Sequence, residues 1–268
     1  MIRTMVVGAA GRMGRMLVAH IKADPEMELV AAVEVPGCPL LGQDAGLVAG
    51  VGATGVRIVA GVDGALNGTD AVIDFSTPEN ALAAAPQIVA AGAVLVIGTT
   101  PLSDAHKATL RDLADRGGRI LAAPNLSVGV NLLFALCAKV APLLAEDFDI
   151  EVVEMHHNRK KDAPSGTAVR LGEILAQATG RGYAKDVVHG RAGLVGARPR
   201  REIGMHALRG GDVVGDHTVI FAADGERLEL THKASSRETF AKGALRAVKF
   251  LANARPGLYD MQDVLGLR

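Results

Sequence analysis

At 268 residues the chain exceeds the usual single-core domain, so two domains, or one core with a large insertion, are expected. Its 49% hydrophobic and 22% charged residues exclude a disordered chain, and 29 Lys and Arg balanced by 29 Asp and Glu leave no net charge to draw it to nucleic acid or to an anionic membrane. The two cysteines, Cys38 and Cys137, stand far apart and outside any paired metal spacing, which argues for reduced thiols and against a disulfide framework or zinc knuckle.

The chain opens on MIRTMVVGAAGRMG, strand-like and broken by glycine and arginine where a signal peptide would run on apolar. No stretch approaches the ~18 apolar residues of a membrane span, so a soluble, cytoplasmic protein is expected. Up to Leu126 short β-rich runs alternate with Ala-rich helical stretches, the pattern of an α/β fold with a parallel sheet wound by helices. Strands are expected at residues 3–7, 29–34, 71–75, 94–98 and 119–122, each buried-looking and poor in charge. Helices are best marked after Gly11, after Thr77-Pro78, where threonine can cap and proline takes the first turn, and after Ser103.

Past residue 127 the pattern changes. A helix near 130–144 leads into a strand in DIEVVEMHH, a polar loop, a helix over 165–178 and a strand-rich region to Ala234. There Asp224-Gly225 separates two β-like runs in which Leu228, Leu230 and His232 alternate with Arg227, Glu229 and Thr231, an antiparallel hairpin. A helix over 236–253 follows and is stopped by Pro256-Gly257.

The first chemical signal is Gly8-Ala9-Ala10-Gly11-Arg12-Met13-Gly14, between the first strand and the first helix. It reads GxxGxxG, so Ala10 stands where the common dinucleotide fingerprint has its second glycine. Glu34, 20 residues after Gly14, ends the second strand. Helix-end N–H groups suit a phosphate, and the carboxylate suits adenosine ribose hydroxyls. The plainer alternative is a tight strand-to-helix turn beside an exposed acid. A 2′-phosphate needs cations, and between Glu34 and Arg57 there are none, with only Arg12 placed to help. NADH is therefore expected to serve at least as well as NADPH.

The second signal is the connection Glu154-Met155-His156-His157-Asn158-Arg159-Lys160-Lys161-Asp162-Ala163-Pro164-Ser165-Gly166-Thr167. It gathers two histidines, three cations and a Ser-Gly-Thr helix start, which suits a small acidic substrate. Ser165 and Thr167 bring hydroxyls, Gly166 and Thr167 bring helix-end amides, and a lysine brings charge and a transferable proton. Metal binding is disfavoured, because adjacent strand residues face opposite ways and no third ligand follows His156-His157 at a recognised spacing. A solvated basic loop is the bland alternative. His20, His106 and His189 read as surface or loop residues, and His232 as facing a core or sheet.

VGAAGRMGR, VIGTT, APNLSVGVN, EMHHNRKKDAPSGTA, GDVVGDHT, ERLELTHKASSR and GLYDMQDVL, in that order along nearly the whole chain, resemble the 4-hydroxy-tetrahydrodipicolinate (dihydrodipicolinate) reductase family. The resemblance implies a Rossmann-like dinucleotide domain over 1–126, completed by 237–268, and an inserted α+β domain over 127–236 whose open mixed sheets join in a homotetramer. It implies NADH- or NADPH-dependent reduction of the dicarboxylate 4-hydroxy-tetrahydrodipicolinate to tetrahydrodipicolinate in diaminopimelate and lysine biosynthesis. His156 would be the proton donor or acceptor and Lys160 the proton donor, with His157, Gly166 and Thr167 on the substrate and Arg237 near the cleft. Cofactor contacts would be Gly8, Ala9, Ala10, Gly11, Arg12, Met13, Glu34, Gly98, Thr99, Thr100, Ala123, Pro124, Asn125 and Leu126. The sequence departs from many relatives at Val35, where a basic residue is common, and at Pro101, where glycine is common. The alternatives are another amino-acid pathway dehydrogenase, of the aspartate or homoserine dehydrogenase kind, and a dinucleotide-sensing protein without catalysis.

Overall fold

The computed structural model describes residues 1–267. They fall into two compact units, Met1–Ser127 with the segment from Glu238 onward, and Val128–Arg237. The chain thus crosses between units one residue later than expected at each boundary.

The first unit begins β1 (Ile2–Val7), α1 (Arg12–Ala23), β2 (Met27–Glu34), α2 (Ala45–Ala49), β3 (Ile58–Ala60), β4 (Ala71–Asp74), α3 (Pro78–Ala90), β5 (Val94–Ile97), α4 (Asp104–Asp115) and β6 (Arg119–Ala122). The second runs α5 (Val128–Leu144), β7 (Asp149–His156), α6 (Gly166–Ala178), α7 (Tyr183–Asp186), β8 (Val187–His189), β9 (Ile203–Arg209), β10 (Gly215–Ala223) and β11 (Glu226–Ala234). The chain then returns to the first unit as α8 (Glu238–Asn253), β12 (Gly257–Tyr259) and α9 (Met261–Val264).

In the first unit the strands make one parallel sheet in the order β12-β6-β5-β4-β1-β2-β3. Every residue of β4 and β5 is buried, as a strand covered on both faces must be. On one face α1 lays down Leu17, Val18 and Ile21 beside Ala244, Val248 and Leu251 of α8; on the other pack Ala85 and Ile88 of α3 and Leu110 of α4. Fully burying Val248 and Leu251 is worth roughly 1.5–3 kcal/mol each. Pro256-Gly257 does end α8, but Gly257–Tyr259 then pairs with β6 as a seventh strand. Three residues are too few to show a period, and β3 was missed for the same reason.

In the second unit the sheet is mixed, in the order β11-β10-β7-β9-β8, with β7 antiparallel to β10 and parallel to β9. The expected hairpin is β10 and β11, paired from Gly215↔Ala234 to Ala223↔Glu226 around Gly225 at φ +87. One face, with Ile150, Val152, Ile203, Met205, Val219 and Phe221, packs on Phe134 and Cys137 of α5 and Leu171 and Leu175 of α6. Alternate β7 residues point the other way. Among them Glu151 accepts hydrogen bonds from Arg191 (2.6 Å), Arg198 (2.9 Å) and His206 (2.7 Å). Burial pushes the Glu151 carboxyl up, but these donors outweigh it and hold it down at about 2. They fasten the segment between β8 and β9, whose Arg191 also pairs with Glu202, onto β7. No described helix is long and apolar enough to cross a membrane.

Two outcomes follow from this packing. A Cβ on Gly243 of α8 would fall on the Leu126 carbonyl oxygen, so Gly243→Ala should destabilise the chain by about 1–3 kcal/mol, seen as a lower calorimetric midpoint; an unchanged midpoint would show that α8 is not seated so closely. Glu151 is more acidic folded than unfolded, so its contribution is full above its unfolded value and fades as pH falls toward 2. The midpoint gap between wild type and Glu151→Gln should therefore be widest near pH 7, narrow as pH falls below about 4.5 and close only near pH 2, and a gap independent of pH would refute the ion network as its cause.

Candidate functional site

In a parallel sheet all strands end at the same edge, so the loops after β1, β2, β4, β5 and β6 open together. Gly8, Ala9, Ala10, Gly11, Arg12 and Met13 lie after β1, Glu34 ends β2, Gly98, Thr99 and Thr100 follow β5, and Ala123, Pro124, Asn125 and Leu126 follow β6. Gly8 takes φ +79, and a Cβ there would lie 2.7 Å from the Phe75 carbonyl oxygen. A Cβ on Gly14 would lie 2.6 Å from Ala9 Cα, so α1 can descend onto the loop only without one. The Gly8 and Ala9 amides donate to Val33 O at 2.9 and 3.1 Å.

Glu34 has a structural duty that its sequence position did not disclose. Its Oε1 accepts the Ala10 N–H at 2.9 Å and its Oε2 the Val35 N–H at 3.2 Å, so the carboxylate braces the glycine loop. Helix α1 starts at Gly11 with no side-chain cap, whereas Thr77, Ser103 and Ser165 cap α3, α4 and α6. The first-turn N–H groups of α1 therefore look for an acceptor outside the helix, and a pyrophosphate fits that need. Arg12 is exposed at the head of the same turn.

Asp74, at the tip of β4, was not singled out from the sequence. It has no exposed surface, and its Oδ1 accepts Ser76 N (2.9 Å), Ser76 Oγ (2.7 Å) and Thr99 Oγ1 (3.2 Å). Burial pushes its carboxyl up. Through Thr99 it ties the loop after β4 to the loop after β5. Asn125 turns its own loop by accepting the Ser127 N–H at 2.8 Å.

The second unit holds the other group of residues. Strand periodicity puts Glu154 and His156 on one face of β7, and Glu154 Oε2 lies 2.6 Å from His156 Nδ1. Glu154 is fully buried and also takes the Ser165 N–H at 3.0 Å and both Nη groups of Arg209 at 2.9 Å. Burial pushes the Glu154 carboxyl up, but His156, Arg209 and the Ser165 amide outweigh it and hold it down at about 2. An ionised acceptor requires a proton on His156 Nδ1, which leaves Nε2 as the nitrogen for chemistry.

Around this pair the basic loop is arranged by backbone bonds. His157 N donates to Val213 O at 2.8 Å and Lys160 N to His157 O at 3.1 Å, while Lys160 Nζ holds Asp162 Oδ1 at 2.9 Å. His157 is kept below the ordinary histidine value by burial, then by the positive charges of Arg237, Arg159 and Lys160. Ser165, expected to bring its hydroxyl to the substrate, is 3% exposed, its Oγ accepting Ala168 N at 3.2 Å and bonding His217 Nε2 at 3.0 Å. Gly166 is exposed and Thr167 buried in the first turn of α6. Such a site can orient an imidazole, retain an ammonium beside it and attract a carboxylate to a positive helix end.

Glu154 could have been found from the sequence, two residues before His156 in an expected strand; Arg209 could not, because only the β7–β9 pairing brings it there. The other histidines have local settings: His106 Nδ1 closes the cap of α4, and His189 is exposed. Among the described residues no group of three or more His, Cys, Asp or Glu is arranged to hold a metal ion.

Comparison with known proteins covers both units. Residues 2–126 match the family model described as dihydrodipicolinate reductase, N-terminus, and residues 129–265 the model described as dihydrodipicolinate reductase, C-terminus. The 4-hydroxy-tetrahydrodipicolinate reductase of Syntrophotalea carbinolica is 50% identical over 268 residues, and that of Citrifermentans bemidjiense 48%, each covering 100% of both chains. Among solved structures, dipicolinate-bound dihydrodipicolinate reductase from Paenisporosarcina sp. TG-14 superposes with a TM-score of 0.77 at 24% identity over 97% of each chain, a likeness of fold. With a family model on each side of Ser127 and half the residues shared with a full-length relative, the chain belongs to the dihydrodipicolinate reductase family.

Proposed function

We propose that this chain reduces 4-hydroxy-tetrahydrodipicolinate to tetrahydrodipicolinate with NADH or NADPH, releasing water, in the route to diaminopimelate and lysine. The observation that carries the reading beyond family membership is His156, held by an ionised buried Glu154 at the start of a loop of three cations. The relatives that share half its residues bear the name of this reaction, and the Paenisporosarcina reductase is bound to dipicolinate, a pyridine dicarboxylate.

The reaction consumes a hydride, supplied by the nicotinamide when bound, and a proton, supplied by the protein. His156 handles the proton through Nε2, because Glu154 holds Nδ1. Lys160, drawn in by Asp162, is the second proton donor and a cation beside the substrate. His157, kept neutral by burial and its cationic neighbours, donates or accepts a hydrogen bond without carrying charge. Gly166 and Thr167 hold a substrate carboxylate at the positive end of α6, and Ser165 serves them from within, as the cap of that helix. The domain of 127–236 is thus the substrate and assembly domain, and the protein acts as a cytoplasmic homotetramer.

For the dinucleotide, the residues from Gly8 to Met13 take the pyrophosphate, Glu34 the adenosine ribose, and the loops at Gly98–Thr100 and Ala123–Leu126 the nicotinamide side. Glu34 is pinned by two backbone N–H groups and cannot swing away from a 2′-phosphate, and Val35 brings no compensating cation. NADH therefore serves at least as well as NADPH.

Two assays at 340 nm test the reading with freshly made substrate. NADH should give kcat/KM no lower than NADPH, and a preference for NADPH of about tenfold or more would refute the role given to Glu34 and Val35. Replacing His156 or Lys160 by alanine should lower turnover by about two orders of magnitude, the range for losing a general acid. Near wild-type rates in both folded variants would remove these residues from the chemistry.

A further inference from the structure

Strand β10 opens with Gly215 and His217, to which the reading above gives no task. His217 pairs across the antiparallel ladder with Glu154, so both side chains stand on the same face of the sheet. It is 3% exposed, its Nε2 lies 3.0 Å from Ser165 Oγ, and its ring meets that of His156 edge-on, with centroids 5.3 Å apart at 75°. Its Nδ1 is buried without a hydrogen-bond partner. Four residues therefore close a circuit: the His217 ring to the Ser165 hydroxyl, the Ser165 amide to Glu154, Glu154 to His156, and His156 back to the His217 ring.

The location of this circuit shows what it does. A histidine held only at Nδ1 can still rotate about that hydrogen bond, and an edge-on ring at its side removes that freedom. Ser165 has its amide on the carboxylate and its hydroxyl between His217 and the α6 cap, so a shift in His217 reaches both His156 and the helix end. Gly215 completes the arrangement by what it lacks: a Cβ there would sit 2.9 Å from His156 Nε2, on the nitrogen that Glu154 leaves for the substrate.

We propose that His217 is a positioning residue for proton transfer, fixing the plane of His156 directly and its carboxylate partner through Ser165, and that Gly215 is the clearance that keeps Nε2 open. The inference rests on the reductase reading. Burial, and then the charge on His156, depress His217 to about 3, so it stays a neutral wedge while its neighbour exchanges protons.

The test compares three variants with wild type in the NADH assay and by ¹⁵N-histidine NMR. His217→Phe keeps the ring and loses the Ser165 bond, His217→Gln does the reverse, and Gly215→Ala adds only a methyl beside Nε2. Each should lower kcat by about tenfold to a hundredfold, as misplacement of a reacting group does, with KM for NADH within about twofold of wild type. In both His217 variants the His156 signals should lose the fixed Nδ1–H pattern, whereas Gly215→Ala should keep that pattern and still lose turnover. A purely structural role would lower the thermal midpoint and leave kcat and the tautomer intact, which overturns the proposal. Should His217→Phe not fold, the glutamine and Gly215 variants decide by the same criteria. Absence of turnover in wild type would instead sink the reductase reading, and the NMR pattern would still decide whether His217 positions His156.

Discussion

A carboxylate with no exposed surface is the constraint around which the second unit is built. Removing Glu154 from water costs several kcal/mol, and only a full set of donors can offset that. Four donor nitrogens come from three places in the chain: His156 two residues on, the Ser165 amide after the basic loop, and the two guanidinium nitrogens of Arg209 on β9. Satisfying one buried charge thus fixes the end of β7, the start of α6 and the β7–β9 edge together. The same requirement sets the tautomer of His156. Stability and chemistry here share one set of hydrogen bonds, so the circuit through Ser165 and His217 belongs to both.

The first unit solves a comparable problem by leaving a need unmet. Helices α3, α4 and α6 end their exposed N–H groups on their own side chains, and α1 does not. Glycines at 8 and 14 bring strand, loop and helix so close that no side chain fits between them. Glu34 then stiffens the loop through Ala10 N. Rigidity of this kind lowers the ordering cost of binding an anion, since the donors are already placed.

Much of the architecture was legible because its signals are local. The buried runs that became β1, β2, β4, β5 and β6 are hydrophobic on both faces, and Thr77, Ser103 and Ser165 announce helices by side-chain chemistry that acts within one turn. The strands β3 and β12 were not legible, because three residues carry no period and take their pairing from a neighbour already in place. Ser165 shows the same limit at the level of one atom. Its type and position mark a helix cap, but the direction of its hydroxyl depends on His217, 52 residues away.

The sequence by itself determined the fold class, the two kinds of chain grammar, the glycine loop with its acid, and the concentration of histidines and cations in one strand-to-helix connection. These follow from residue types at short spacing, where covalent geometry limits the outcomes. Only the tertiary structure decided which groups share a proton or a charge, Arg209 with Glu154 and Thr99 with Asp74, and which must leave room for another, Gly215 for His156. Such pairs are made by strand register and by the demand that buried charge find donors, and neither is encoded at any fixed distance along the chain.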